Sequence, residues 1–202
     1  MEILYSVPDF TVCVDSPLAA EATRIYSGDL RGYLDQEAIS VLQSGDNLFT
    51  FPGLTLTRSA EESRALNEDR SSKIIISASG MCEAGRILHH LKNGISRDNN
   101  TVLFVGYCAA NTLGRRIMDG SLEVRILGDL YPVRAKVHSL DSFSGHADHD
   151  ELISYFRRTG GPRSKVYLVH GERTCSAAMK EALTAFHDGE VHIARLNTVV
   201  SC

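Results

Sequence analysis

The sequence has no Cys-x-x-Cys pair, no internal repeat, no low-complexity stretch and no run approaching the ~18 apolar residues of a membrane span. These absences exclude a spanning helix and wholesale disorder. The start, Met1-Glu2-Ile3-Leu4-Tyr5, lacks the basic region, apolar core and small-residue cleavage site of a secretory leader. An excess of positive charge is also missing. The 21 Lys and Arg are set against 25 Asp and Glu, a formal net charge of −4, so any contact with nucleic acid is confined to a local patch. Cysteine is sparse and odd in number: five residues, at positions 13, 82, 108, 175 and 202. That pattern predicts free thiols in a reducing compartment, hence a cytoplasmic protein with no membrane partner. Metal and phosphate signatures are absent too: no His-x-His-x-Asp-His, no His-Glu-x-x-His, no P-loop and no dinucleotide fingerprint.

What is present is ordinary for a globular protein. The chain has 202 residues, 43% hydrophobic and 23% charged, enough for one domain or two small ones with a real core. Val12-Cys13-Val14 reads as a short buried strand ending at Asp15, and Ser16-Pro17 then caps and opens a helix. A weaker helix is predicted over 36–43, a turn at Phe51-Pro52-Gly53 and a strand over 54–57. Ser59 with Glu62 forms a capping box that starts a helix to about Glu68. Lys73–Ser77 is the clearest buried strand, followed by Ser79-Gly80-Met81 and a helix over 85–92. Thr101–Val105 is a second strand, followed by Gly106-Tyr107 and a helix over 113–118. Two strands that each run into a glycine-bearing loop and a helix predict βα units on a parallel sheet. Beyond Asp119-Gly120 the style changes. Glu123–Ile126 and Val133–Leu140 are expected to pair as a hairpin about Gly128-Asp129. A helix over 148–158, a break at Gly160-Gly161-Pro162, a strand over 165–169, a helix over 176–186 and a strand over 191–196 complete the chain.

Several residues stand where chemistry would want them. His170 follows an apolar strand, and ligands collect outside the carboxyl ends of strands in open α/β sheets. Position alone leaves it either a solvent-facing loop residue or a ligand, with Gly171 allowing close approach. His146 lies among small residues in Phe143-Ser144-Gly145-His146-Ala147-Asp148. It reads either as a loop residue or as a proton donor or phosphate contact. Asp148 either orients that ring or caps the next helix. His149 is expected at the surface. His89 and His90 lie in one helix and read as a solvated pair, and His187 has no supporting context. The loops Ser77–Met81 and Gly106–Arg116 offer backbone N–H groups and two arginines, Arg115 and Arg116, to a phosphate-rich ligand on neighbouring strands. Each loop alone reads as a tight strand–helix connection. Two histidines do not close a zinc site, which takes three or four ligands.

Read in order, five segments resemble the β-CASP branch of the metallo-β-lactamase superfamily, a group of RNA-processing hydrolases. They are Asp15-Ser16-Pro17-Leu18-Ala19; Ser77 to Arg86; Val105 to Ala109 with Thr112 to Arg115; Phe143 to Asp148; and Val169-His170-Gly171-Glu172. The resemblance implies an α/β fold: most of a β-CASP domain, a parallel sheet with flanking helices, over 1–125. The C-terminal strands and helices of a metallo-β-lactamase αββα domain would follow over 126–202. It implies that His146 is the catalytic histidine near the scissile phosphate and that His170 is a ligand of one of two Zn²⁺ ions. Ser79, Gly80, Met81, Thr112, Gly114, Arg115, Ser144 and Gly145 would line the RNA site, supported by Asp148 and Glu172. The family's His-x-His-x-Asp-His segment, third metal histidine and bridging aspartate would lie upstream, so the chain is expected to be the C-terminal portion of a zinc-dependent ribonuclease, inactive alone. Its partners would then be RNA, the missing N-terminal half and a second copy. A non-catalytic RNA- or partner-binding module is the alternative. A degenerate scaffolding relative is a third reading, disfavoured by the presence of both His146 and His170.

Overall fold

The computed structural model describes residues 10–28, 32–45, 49–140, 142, 145–197 and 199. The chain forms two compact units, the first through residue 143 and the second from residue 144.

The first unit opens with β1 (Thr11–Asp15) and α1 (Pro17–Tyr26). Ser16 caps α1 by accepting from the Ala19 amide, and Pro17 fills the first turn, where its missing N–H costs nothing. Next come α2 (Gln36–Gln43), β2 (Leu54–Leu56), α3 (Ala60–Glu68) and β3 (Lys73–Ser77). The Ser59–Glu62 capping box forms in full at the head of α3. Strands β1, β2 and β3 make one parallel sheet in the order β2-β1-β3, with Val12 opposite both Leu54 and Ile74. The predicted α/β class and parallel sheet are therefore present. β3 is not the buried strand that its run of isoleucines predicts. Its residues alternate, leaving Ile74 at 48% and Ile76 at 51% exposure.

The chain continues through α4 (Ile87–Gly94), β4 (Thr101–Phe104), α5 (Leu113–Met118), β5 (Glu123–Ile126), β6 (Asp129–Pro132) and β7 (Lys136–Ser139). The expected hairpin is corrected here. β5 pairs antiparallel with β6, Ile126 opposite Asp129, so the turn is Leu127-Gly128. Both turn residues have positive φ, 51° and 97°, as a two-residue hairpin loop requires. Pro132 stands opposite Glu123, and the Val133 amide adds one more bond, to the Leu122 carbonyl at 2.8 Å. The chain then turns, with the amides of Arg134 and Ala135 both donating to the Ile95 carbonyl, and β7 pairs in parallel with β4. Residues 126–139 are thereby tied into the first unit, whichever family domain they belong to. The buried apolar cluster gathers Cys82, Leu91, Ile95, Phe104, Cys108, Leu113, Ile117, Val124 and Ile126.

The second unit holds α6 (His149–Thr159), β8 (Val166–Leu168), α7 (Arg173–Thr184) and β9 (Val191–Ile193), with β8 and β9 parallel. Arg157 lies 4.5 Å over the Phe186 ring. His187 is buried and its Nε2 lies 2.8 Å from the Ser164 carbonyl, so it is a structural residue that sequence context did not single out. Among the described residues no helix is long and apolar enough to cross a membrane.

Apolar side chains are left uncovered in each unit: Ile74 and Ile76 in the first, Val169 at 71% and Leu196 at 94% exposure in the second. Exposed apolar surface on this scale favours association. The isolated chain is therefore expected to self-associate, with a sedimentation coefficient that rises with concentration. A single monomeric species across the series would contradict this.

Candidate nucleic-acid interface

The two glycine-bearing loops meet, although not by the route expected. β3 and β4 belong to different sheets, so the loops do not sit on neighbouring strands. They are joined directly instead. The Gly114 amide donates to the Met81 carbonyl at 2.9 Å, the Cys108 thiol to the Gly80 carbonyl at 3.4 Å, and the Leu113 amide to the Glu83 carboxylate. Two glycines make this geometry possible. Gly85 has φ +87°, and a Cβ there would lie 2.3 Å from the Ala78 carbonyl oxygen. At Gly114 a Cβ would meet the Cys108 sulfur at 2.9 Å and the Met81 carbonyl oxygen at 3.0 Å. Gly80 and Met81 remain exposed at the surface of the pair, with Ser79 half-buried beside them.

The other predicted residues of these loops have structural duties. Thr112 caps α5, accepting from the Arg115 amide at 3.2 Å and donating to the Ala109 carbonyl at 2.7 Å. Arg115 grips Asp119 through Nε at 2.9 and 3.0 Å. Burial, then the neighbouring Cys108 and Glu83, push the Cys82 thiol up to about 12. Burial likewise raises Cys108 and Cys13, so these sulfurs stay protonated and serve as packing groups.

In the second unit Gly145 and His146 are exposed just ahead of α6. They line an open hollow with Asp148, Glu151, Tyr155 and Arg158. Asp148 caps α6: its side chain accepts from the Glu151 amide at 2.8 Å, and the Glu151 carboxylate accepts from the Asp148 amide at 3.0 Å. Ser144 lies outside the described residues. His149 is exposed, as expected, and pairs with Asp150 at 2.9 Å. His170 stands exposed past β8 with φ +61°, a left-handed conformation uncommon outside glycine. Gly171 follows because a Cβ there would lie 2.6 Å from the Ser176 hydroxyl on the first turns of α7. Glu172 occupies the N-cap position of that helix. Among the described residues no three His, Cys, Asp or Glu side chains come together as a metal site. The donors present do not by themselves fit a zinc centre.

Sequence reading missed a dense, buried polar cluster around Asp15. Asp15, at the end of β1, has no exposure. One oxygen accepts from Arg86 at 2.6 Å, and the other from the Ser63 hydroxyl at 2.6 Å with His90 Nε2 at the same distance. His90 is therefore not half of a solvated pair; its side chain is 8% exposed. The available signal was spacing: Ser63 with Asn67, and Arg86 with His90, each place two polar groups one helical turn apart. Burial pushes the Asp15 carboxyl upward, but hydrogen bonds from Ser63, His90 and Arg86 outweigh it and hold the group below the ordinary carboxylate value.

Comparison with known proteins bears directly on these segments. Residues 2–117 match the family described as the Beta-Casp domain. The chain belongs to the β-CASP family. Residues 130–194 of this β-CASP chain match the family described as the Zn-dependent metallo-hydrolase RNA specificity domain. Among curated relatives, ribonuclease TTHA0252 of Thermus thermophilus is 39% identical over 201 residues, covering 96% of this chain and 45% of that protein. Transcription termination factor FttA of Methanocaldococcus jannaschii is 32% identical over 160 residues, covering 76% of this chain and 25% of that protein. FttA of Thermococcus kodakarensis is 33% identical over 137 residues, covering 65% and 21%. The chain thus spans less than half the length of these relatives.

Two outcomes follow from this geometry. Gly114→Ala forces the two loops apart and should cost about 1–3 kcal/mol in chemical denaturation, as overpacking does. The Asp15 carboxylate, lowered in the folded state, contributes stability that is complete above the unfolded value of about 3.9 and is lost as pH falls through the folded value. Asp15→Asn should therefore destabilise the chain at neutral pH and flatten the acid limb of its stability profile below about pH 4. An unchanged acid limb would remove Asp15 from the list of groups that govern it.

Proposed function

We propose that this chain is the C-terminal part of a zinc-dependent ribonuclease that hydrolyses RNA phosphodiester bonds. The observation that carries this reading is that both family matches fall in order on one chain, 2–117 and then 130–194. The loops bearing the matched motifs are also joined, the buried Gly114 bonding to the exposed Met81. Residues to about 125 would form an incomplete β-CASP domain, and 126–202 the C-terminal segment of the metallo-β-lactamase domain. The joined loops would present backbone groups of Ser79, Gly80 and Met81 to the RNA strand, with Thr112 and Gly114 holding the second loop in place beneath them. Such contacts position a backbone without reading its sequence. Arg115 would add positive charge beside the joined loops. Ser144 and Gly145 would give a phosphate close access to His146.

His146 would donate a proton or hydrogen bond to the phosphate or the leaving oxygen, at the open hollow ahead of α6. Asp148 serves it by fixing where α6 begins. His170 would hold one zinc ion together with donors supplied from outside this chain, and Glu172 would support the turn that presents it. The metal would contribute Lewis acidity and an activated water. The same reading makes the remaining half of the enzyme the chief partner, in the cytoplasm. A second reading is a non-catalytic RNA- or partner-binding module.

The deciding experiment measures zinc content and cleavage of labelled single-stranded RNA, first on the 202-residue chain and then with a metal-binding half supplied. In the complete enzyme His146→Ala should lower turnover by roughly 10²–10⁴-fold, the usual scale for a lost proton donor, with little change in RNA affinity. His170→Ala should lower zinc content. Unchanged cleavage in the first variant, or full zinc occupancy in the second, would remove that residue from its role. RNA binding without cleavage, even when the metal-binding half is supplied, would favour the module.

A further inference from the structure

We infer that Asp15, Arg86 and His90 are positioning residues that set the Ser79–Arg86 loop against the Cys108–Arg115 loop and so preform the RNA-facing surface. The inference rests on the function proposed above, and its structural half stands on geometry alone. Most of the first loop buries nothing that would hold it: Gly80, Met81, Glu83, Ala84 and Gly85 are exposed. Its internal bonds are few, with the Ser79 amide donating to the Ala84 carbonyl and the Cys82 amide to the Ser79 carbonyl, both at 3.0 Å. Cys82 anchors its middle in the apolar cluster, and Arg86 anchors its end.

Arg86 does so by spanning three acceptors. Nη1 donates to Asp15 at 2.6 Å and to the Thr57 carbonyl at 3.3 Å, while Nη2 donates to the Arg58 carbonyl at 2.9 Å. One guanidinium thus clips the loop to the end of β1 and to the segment leaving β2. A lysine cannot reproduce this planar fork. His90 holds the same carboxylate from α4 and reaches α3 with its other nitrogen, Nδ1 lying 2.9 Å from the Asn67 side-chain oxygen. The Asn67 amide nitrogen donates to the Ser63 carbonyl at 3.2 Å, which fixes the oxygen toward the ring. Both ring nitrogens therefore lie within hydrogen-bond distance of a side-chain oxygen, one on Asp15 and the other on Asn67. None of the three residues belongs to the buried apolar cluster, so loosening them acts first on the loops and only secondarily on the core.

The test is amide hydrogen exchange on the ¹⁵N-labelled 202-residue chain and its Arg86→Lys, His90→Gln and Asp15→Asn variants, with affinity for a labelled single-stranded oligoribonucleotide measured on the same samples. In Arg86→Lys the amides of Ser79, Cys82 and Gly114 should exchange about tenfold faster, while Ile95 and the β5–β6 hairpin keep wild-type rates. The double variant Asp15→Asn/Arg86→Lys should loosen the loop no further than Arg86→Lys alone, because both break one lock. RNA affinity should fall about tenfold in step. Loop amides at wild-type rates in a folded Arg86→Lys variant would overturn the inference. So would acceleration spread evenly over Ile95 and the hairpin, which would mark a general stability role. Loosened loops with unchanged RNA affinity would separate the lock from RNA and overturn its functional half. A wild-type chain that binds no RNA would overturn the proposed function, while the exchange pattern would still decide the positioning role. If Asp15→Asn does not fold, the other two single variants carry the test.

Discussion

Taking a carboxylate out of water costs several kcal/mol unless the protein returns the hydrogen bonds that water gave. Asp15 meets that demand with donors from separated segments: Ser63 on α3, Arg86 at the end of the glycine loop and His90 on α4. The requirement is strict because removing any donor leaves part of a buried charge unanswered. It therefore fixes more than one side chain. The end of β1, two helices and a surface loop must converge on a single carboxylate, and no described buried side-chain oxygen or nitrogen is left without a partner. Through Arg86 this constraint reaches the surface, and through the Gly114–Met81 bond it reaches the second loop.

Local signals in the sequence carried the element pattern well. Ser16-Pro17 opened α1, and Ser59 with Glu62 opened α3 as a full capping box, because caps depend only on residues within one turn. Pairing was less legible. Val133–Leu140 was expected to pair with Glu123–Ile126, but the strand it contains, β7, joins β4. The deciding facts are the tight Leu127-Gly128 turn, which gives β5 a nearer partner in β6, and a β4 edge that accepts β7, and the second of these is tertiary. The run Ile74-Ile75-Ile76 looked buried on both faces for the same reason, since composition does not reveal whether anything covers the second face.

Chemistry was legible in proportion to its locality. The glycine loops were found as loops, but the contact between them, Gly114 against Met81, crosses more than thirty residues of chain (81 to 114) and leaves no periodic trace. His90 was misread because an exposed and a buried histidine on one helix look alike until the partner helix is known. Asp15 was quoted only as part of a motif; its burial depends on α3 and α4 arriving from elsewhere. His146 and His170 were singled out from the small and apolar residues around them; one lies ahead of a capped helix and the other in a left-handed turn at a strand end. Their neighbours in sequence explain those backbones but supply no complete donor set.

The parallel pairings also dictate an order of assembly. β1 meets β2 only after residue 56 has been made and β3 only after residue 77, and β4 waits for β7 at residues 136–139. Among the described strands only the β5–β6 hairpin is local. Each distant pairing must close a loop before it gains any contact, which makes such topologies slow to form. During synthesis, which proceeds from the N-terminus, β1 is thus an unpaired strand while some forty residues are added, and the Asp15 carboxylate stays hydrated until α4 exists to receive it.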